Sequence, residues 1–565
     1  MRYMIAAIAL TLTTAAVSAQ PASPTDNTLL ESQHFVQAFE ARLKPLAVES
    51  GRLFYDAVTS GDSAAYERSS AASLALKALY SDPNDFVTIK RFRESGKISD
   101  PQAKRMLDII YLGFLGNQIE PPLMHELNDR ESALEQKFNT YRVKVGDREL
   151  SDNQVDSTLR NSTNSAELQA VWKASRQIGR EIQGQVLELT KLRNRIARSL
   201  GFTDFFDMQL KLGEQEPSEI IALFDQLDSL TREPFMQLKG QIDSALTVRY
   251  GIAKDQIRPW HYQNRFFQEA PHIYDVDLNS YYRGKDPVEI SRRFYAGIGL
   301  PVDSILAHSD LYEREGKYQH AQSMDIDRQG DVRIICNVRP DYYWTNTMLH
   351  ELGHAVYDYY YDPKLPWMLR GAAHSLTTEA IANFFGRLAS NSQWLESEVG
   401  ISKAEAERAA ADCRKTLRLE QLVFSRWAQV VVRFEREMYA NPDQDLNALW
   451  YSLVEKYQGL SPIEGRNEPD WAAKIHIALY PCYYHNYVLG ELLASQLAAK
   501  IAKDVLNTDD PFQTGFCENP AIGQYFVENI FHPGSRYRWD ELIERATGEK
   551  LTPKYYARQF VGTTR

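Results

Sequence analysis

Leu349-His350-Glu351-Leu352-Gly353-His354-Ala355 sets two histidines four residues apart around a glutamate, among apolar neighbours. On a helix that spacing puts both imidazoles on one face, where they can reach one metal ion, and Glu351 projects beside them toward an open coordination position. Reading the stretch as a helix decides what the rest of the chain must be: a scaffold that buries one side of this helix and leaves the other open to a ligand.

On the C-terminal side, Glu379 follows His354 by 25 residues, within Thr377-Thr378-Glu379-Ala380-Ile381-Ala382-Asn383-Phe384-Phe385. This segment reads as a second helix, returned by Asp362-Pro363-Lys364-Leu365-Pro366 and able to supply the third protein ligand of a catalytic zinc site. Three protein ligands leave a position for water, whose pKa such a metal lowers to about 7. Glu351 is then placed to take and pass on a proton, and the expected cofactor is a single Zn2+. On the N-terminal side, Lys317 to Asp325 and Val332 to Val338 read as a strand pair around Arg328-Gln329-Gly330-Asp331. It is either a small structural hairpin or an edge along which an extended peptide lies.

Further out, helical periodicity dominates from Thr28 to about Thr247 and returns over Lys403 to Tyr439, Asn447 to Tyr457, Pro481 to Asp504 and Trp539 to Thr547. One helix is expected over Ala166 to Leu200, stopped by Gly201, and another starts at Pro217. The aromatic segment Pro259 to Phe267 reads as a crossover between lobes, and its lone His261 as structural. The expected fold class is mainly α, in two helical lobes with a small β-sheet near the metal helix.

At 565 residues, 25% charged and 44% hydrophobic, core size is not limiting, and the net charge of -11 argues against a nucleic-acid partner. Arg2, the apolar run Met4 to Leu10 and the small residues Val17-Ser18-Ala19 read as a signal peptide over residues 1–19, cut before Gln20. The mature chain, residues 20–565, is then one exported domain, periplasmic or extracellular, with no membrane span; residues 20 to 27 read as a mobile polar segment. Cys336, Cys413, Cys482 and Cys517 lack metal-ligand spacing and read as buried thiols, with one disulfide open.

A second constellation lies over Asp470 to Tyr487. If residues 473 to 478 are extended, Lys474 and His476 face one side, and a helix opened by Pro481 carries Tyr483, Tyr484 and Tyr487 along one sector, with Tyr480 just before it. His476 and a tyrosine hydroxyl suit the second oxygen of a tetrahedral intermediate, and Lys474 suits a substrate carboxylate.

At these residues the chain resembles the angiotensin-converting-enzyme family of zinc peptidyl-dipeptidases and, more weakly, the thimet-oligopeptidase and oligoendopeptidase relatives. The likeness runs through Ala166 to Tyr250, the helix of His350 and His354, Arg370-Gly371-Ala372 to Glu379, and Arg466-Asn467-Glu468 to His476. It implies a helical ellipsoid split by a deep cleft that admits small peptides. It also implies His350, His354 and Glu379 as zinc ligands, Glu351 as acid/base residue, Lys474 as binder of the substrate C-terminal carboxylate and His476 as transition-state donor. Tyr487 fits the family's donor tyrosine, with Tyr484 and Tyr483 also open; Tyr480 and Tyr484 are counted with Lys474 as substrate contacts. Asn383 stands where the animal enzymes carry an aspartate, Asn337 where a substrate-contacting histidine is expected, and no arginine matches the one needed for chloride activation. Peptide release from the C-terminus in twos is the leading expectation, with an oligopeptide endopeptidase or a non-catalytic peptide receptor as alternatives.

Overall fold

The computed structural model describes residues 24–274, 276–511 and 514–561; the signal peptide expected over residues 1–19 lies outside them. The expected mobile stretch gives way to helix at Pro24, where the helix Pro24–Ser60 begins. The architecture is mainly α, with two small two-stranded antiparallel sheets. No helix among the described residues is long and apolar enough to cross a membrane.

Three helices build the centre. Tyr342–Tyr359 starts at Asp341, whose side chain accepts from the Trp344 N–H (2.7 Å) and satisfies one orphan donor of its first turn. It buries Met348, Leu349, Leu352, Ala355 and Val356 against Ser375–Gly386, which returns beside it. His485–Asp504 packs on the far side of the return helix. Two glycines set the spacing. A Cβ on Gly353 would lie 2.7 Å from Ala382 Cα, and one on Gly490 would lie 2.9 Å from Glu379 Cβ. Any side chain at either position would push the helices apart, so the glycine between His350 and His354 is a packing requirement.

Gln322–Asp325 pairs with Val332–Ile335 in the register Gln322↔Ile335 and Asp325↔Val332, on the metal helix. These strands are shorter than the sequence suggests. Lys317 is instead buried and donates to Asp310 Oδ1 and the carbonyls of Asp310, Tyr312 and Cys336, which takes its segment out of the ladder.

Three further expectations need correction. The helix over Ala166 to Leu200 is two, Ser165–Ala174 and Gln177–Ser199. The break falls at Arg176, which is buried over the Trp172 ring (3.6 Å) and faces Asp470 (3.6 Å). Residues 473 to 478 are not extended: Asp470–Ala473 forms a 3-10 turn and Ile475–Leu479 a short helix, so the same-side argument for Lys474 and His476 fails. The following helix starts at His485, not Pro481, because Cys482 takes a left-handed φ of 59° and its N–H is held by the buried Glu435 carboxylate (2.9 Å). A second hairpin, Val143–Val145 with Arg148–Leu150, was not legible, being three residues a strand.

The four cysteines are unpaired and Cys517 is the only one not buried. His261 is structural as expected: Nδ1 accepts from the Arg258 N–H (2.9 Å) and Nε2 meets the Ser165 hydroxyl (2.8 Å).

Candidate metal centre and substrate cavity

One turn of helix brings the His350 and His354 rings to 4.9 Å between centroids. Glu379 on the return helix completes the group, its Oε2 3.9 Å from each Nε2. Among the described residues these three form the one group of metal-type donors lying within 4.8 Å of each other. A tetrahedron with bonds of about 2.1 Å has edges of about 3.4 Å, so the donors stand close to zinc spacing. Burial lowers His350 to about 4 and His354 well below its usual value, which keeps both imidazoles in the neutral form that ligates. His354 Nδ1 and Thr378 Oγ1 share a hydrogen bond (2.7 Å), which turns Nε2 toward Glu379. Thus Thr378, one residue before Glu379, orients this ring, while Asn383 lies on the cavity lining. The donor set fits zinc.

Glu351 is buried on the same helix. Burial, and then the Glu379 charge, push its carboxyl up to about 8, opposed by a hydrogen bond from the Ser323 backbone on the neighbouring strand. Glu379 is raised to about 7 by burial and then by Glu491. Two raised carboxyls beside two neutral histidines describe a site built for a cation.

Two cavities flank this centre and share Tyr487. One of about 630 Å³ is lined by His350, Glu379, Asn383, Gln268 and Glu420, and the other, of about 1230 Å³, by His320, His374, His476, Tyr480 and Tyr483. Tyr487 is half-buried, and its hydroxyl is raised to about 12 by burial, then Tyr483 and Glu379. Tyr483 packs on it at 5.2 Å and also feels Glu379.

Lys474 is buried, its Nζ donating to Gln268 Oε1 (2.6 Å) among the rings of Phe266, Trp427 and Tyr484, 5.5 to 5.7 Å away. Burial lowers it to about 8, opposed chiefly by Glu269. His476 packs against Tyr484 (5.2 Å) and Tyr480 (6.1 Å), and its buried Nδ1 has no protein partner. The Tyr484 hydroxyl accepts from Trp427 Nε1 (2.7 Å) and keeps its own hydrogen to donate. Tyr480 is 54% exposed, at the mouth.

Two residues escape sequence reading. Gln268 immediately follows the aromatic run, and nothing local ties it to Lys474. His320 lines the cavity with His476, whereas Asn337 does not: its Nδ2 is spent on the carbonyls of Tyr318 and Gln319 (3.1 Å each), bracing the backbone that leads into His320. Asn337, where the resemblance expects a substrate-contacting histidine, is thus buried and committed to the backbone. An alternation of His320 with the strand residues beside it was the signal available.

The profile of the peptidase family described as angiotensin-converting enzyme matches residues 26–259 and 278–555. The angiotensin-converting enzyme of Rattus norvegicus is 23% identical over 70% of this chain and 32% of its own length. Carboxypeptidase 1 of Bacillus subtilis (strain 168) is 26% identical over 40% of this chain and 49% of its own length. A protein of Caenorhabditis elegans named inactive angiotensin-converting enzyme-related protein is 22% identical over 90% of this chain and 59% of its own. The matched region thus spans between about a third and three fifths of these relatives.

Proposed function

This chain belongs to the angiotensin-converting enzyme family, and from that premise we propose that it is a zinc metallopeptidase that releases dipeptides from the C-termini of oligopeptides. The observation that carries the reading is a buried cation, Lys474, whose Nζ donates to Gln268, a residue on the lining of the cavity that also holds His350 and Glu379. A substrate carboxylate accepting from Lys474 would fix the end of the peptide and so favour a cut near that end.

His350, His354 and Glu379 would hold one zinc ion. When bound, zinc supplies Lewis acidity toward the scissile carbonyl and acidifies a water. Glu351 accepts that water's proton and returns it to the leaving amine nitrogen. The substrate carbonyl oxygen gains charge as the water attacks, and the Tyr487 hydroxyl and His476, both on the cavity lining, are the donors assigned to it. Tyr484 walls the anchor with its ring, and Tyr480 meets the incoming peptide at the mouth. Residues 20–565 act as one exported peptidase domain after loss of residues 1–19.

A binder that has lost catalysis is the second reading, favoured by the name of the Caenorhabditis elegans relative. The buried Glu351 beside the ligands speaks for turnover, since a receptor has no use for a base there. Mass spectrometry of peptide digests with and without a chelator decides. Metal-dependent loss of the last two residues is the expected outcome; internal fragments would support an endopeptidase, and intact peptide after long incubation a receptor.

A further inference from the structure

Four glutamates line the cavity on the anchor side: Glu269, Glu379, Glu420 and Glu491. Three have partners. Glu269 faces Arg160 (3.1 Å), Glu491 is paired with Arg387, and Glu379 stands with the two histidines. Glu420 has no hydrogen bond or ion pair among the described residues, and its strongest charged neighbour is another carboxylate, Glu491. Burial and Glu491 hold its carboxyl up at about 7, as befits a charge without a counter-ion.

The next residue repeats the pattern. Gln421 is only 8% exposed, lines the same cavity, and its Oε1 has no hydrogen-bond partner. Two adjacent residues on one cavity lining thus carry acceptors without a donor among the described residues, an arrangement that costs stability unless a ligand brings donors.

Their place in the cavity says which part of a ligand they meet. Phe424 lies one helical turn beyond Glu420, lines the cavity, and packs on the Tyr484 ring (6.1 Å), which in turn faces Lys474 Nζ (5.7 Å). Glu420 is therefore joined to the carboxylate anchor through Phe424 and the Tyr484 ring, on the cavity wall where the side chain borne by the terminal residue would lie.

We propose that Glu420, with Gln421, selects peptides whose C-terminal residue is lysine or arginine, a specificity that rests on the reading of Lys474 as the terminal-carboxylate anchor. An ammonium or guanidinium gives the carboxylate its missing ion and the amide oxygen its missing donor. A neutral side chain leaves both unpaired, and an acidic one adds repulsion, so the discrimination is in part against the wrong peptide.

The test is a set of peptides identical except for a final Arg, Lys, Leu or Glu, assayed by kcat/KM with the zinc-loaded wild type and Glu420→Gln. The wild type is expected to prefer Arg or Lys over Leu by roughly tenfold or more, with Glu slowest, and Glu420→Gln to bring the Arg-to-Leu ratio near one. A wild-type ratio near one, or a ratio that survives the substitution, overturns the proposal. Product masses separate it from the broader reading: dipeptide release with a flat ratio sinks only the role of Glu420. If cuts fall elsewhere, calorimetric affinities of the Arg- and Leu-ended peptides for Glu351→Gln decide, equal affinities overturning the proposal.

Discussion

The metal-binding wall and the anchoring wall of the cavity hold their chemistry in opposite ways. His350, Glu351 and His354 keep their relative places through the spacing of one helix, with a single return, Glu379, from 25 residues on. Lys474, His476, Tyr480, Tyr483 and Tyr484 sit on a broken path of 3-10 turn, short helix and left-handed Cys482, tied down by distant groups, and Tyr487 sits on the first turn of the helix that follows. Gln268 meets Lys474 from 206 residues away, Arg193 donates to the Ala478 carbonyl from 285, and Glu435 holds the Cys482 N–H. Local periodicity thus secures the proposed metal ligands, while long-range packing secures the proposed grip on the peptide. Substitutions on the first wall should change turnover or metal; those on the second should change which peptides bind.

The largest effect is expected on the metal wall. Glu351→Gln should lower kcat by roughly 10²- to 10⁴-fold with zinc content unchanged by elemental analysis; near-normal turnover of the zinc-loaded variant would remove Glu351 from the reaction. Gly490→Ala tests the packing behind the ligand, because its Cβ would meet Glu379 Cβ at 2.9 Å. It should weaken zinc retention about 10- to 100-fold in a chelator competition, and an unchanged affinity would mean that the helices give way without moving the carboxylate.

On the anchoring wall, Arg193→Met removes the donor to Ala478 and leaves Glu131 without its partner (2.7 Å). A loss of about 1–3 kcal/mol in denaturant midpoint analysis is expected, along with higher KM but retained zinc. If KM and stability both stay put, the turn before His476 holds itself.

The smallest effect is a pH limb. Burial lowers Lys474 to about 8, so it is charged below that pH and loses its proton above it. For peptides with a free carboxylate, kcat/KM should fall as pH rises past about 8, because the free enzyme then loses its cation. The amidated peptide should lack this limb, and Lys474→Arg should move it out of range.

The same contrast explains what the sequence disclosed. The mainly α class, the metal helix, Glu379 and the hairpin beside them were legible because helical and strand periodicities are local signals. The path through Lys474 was not. An extended reading of residues 473 to 478 satisfied the alternation of Lys474 and His476, and only the tertiary anchors at Arg193 and Glu435 force the short helix and the delayed start at His485. Gln268 and His320 were missed for the same reason: each joins the cavity through a partner that no sequence interval reveals. Asn337, standing where the resemblance expects a substrate-contacting histidine, serves as a brace through its two backbone contacts.

The central claim is that both walls act on one bound peptide, with Lys474 holding the end whose bond the metal wall cuts. The most direct measurement is kcat/KM in a four-way comparison: wild type and Lys474→Met, each with a peptide and its C-terminal amide. The account predicts that either change alone costs roughly 10- to 100-fold, the worth of a hydrogen bond to a charged group, and that both together cost little more than one, since each removes the same contact. Independent, multiplying effects, or rates indifferent to amidation, would contradict it.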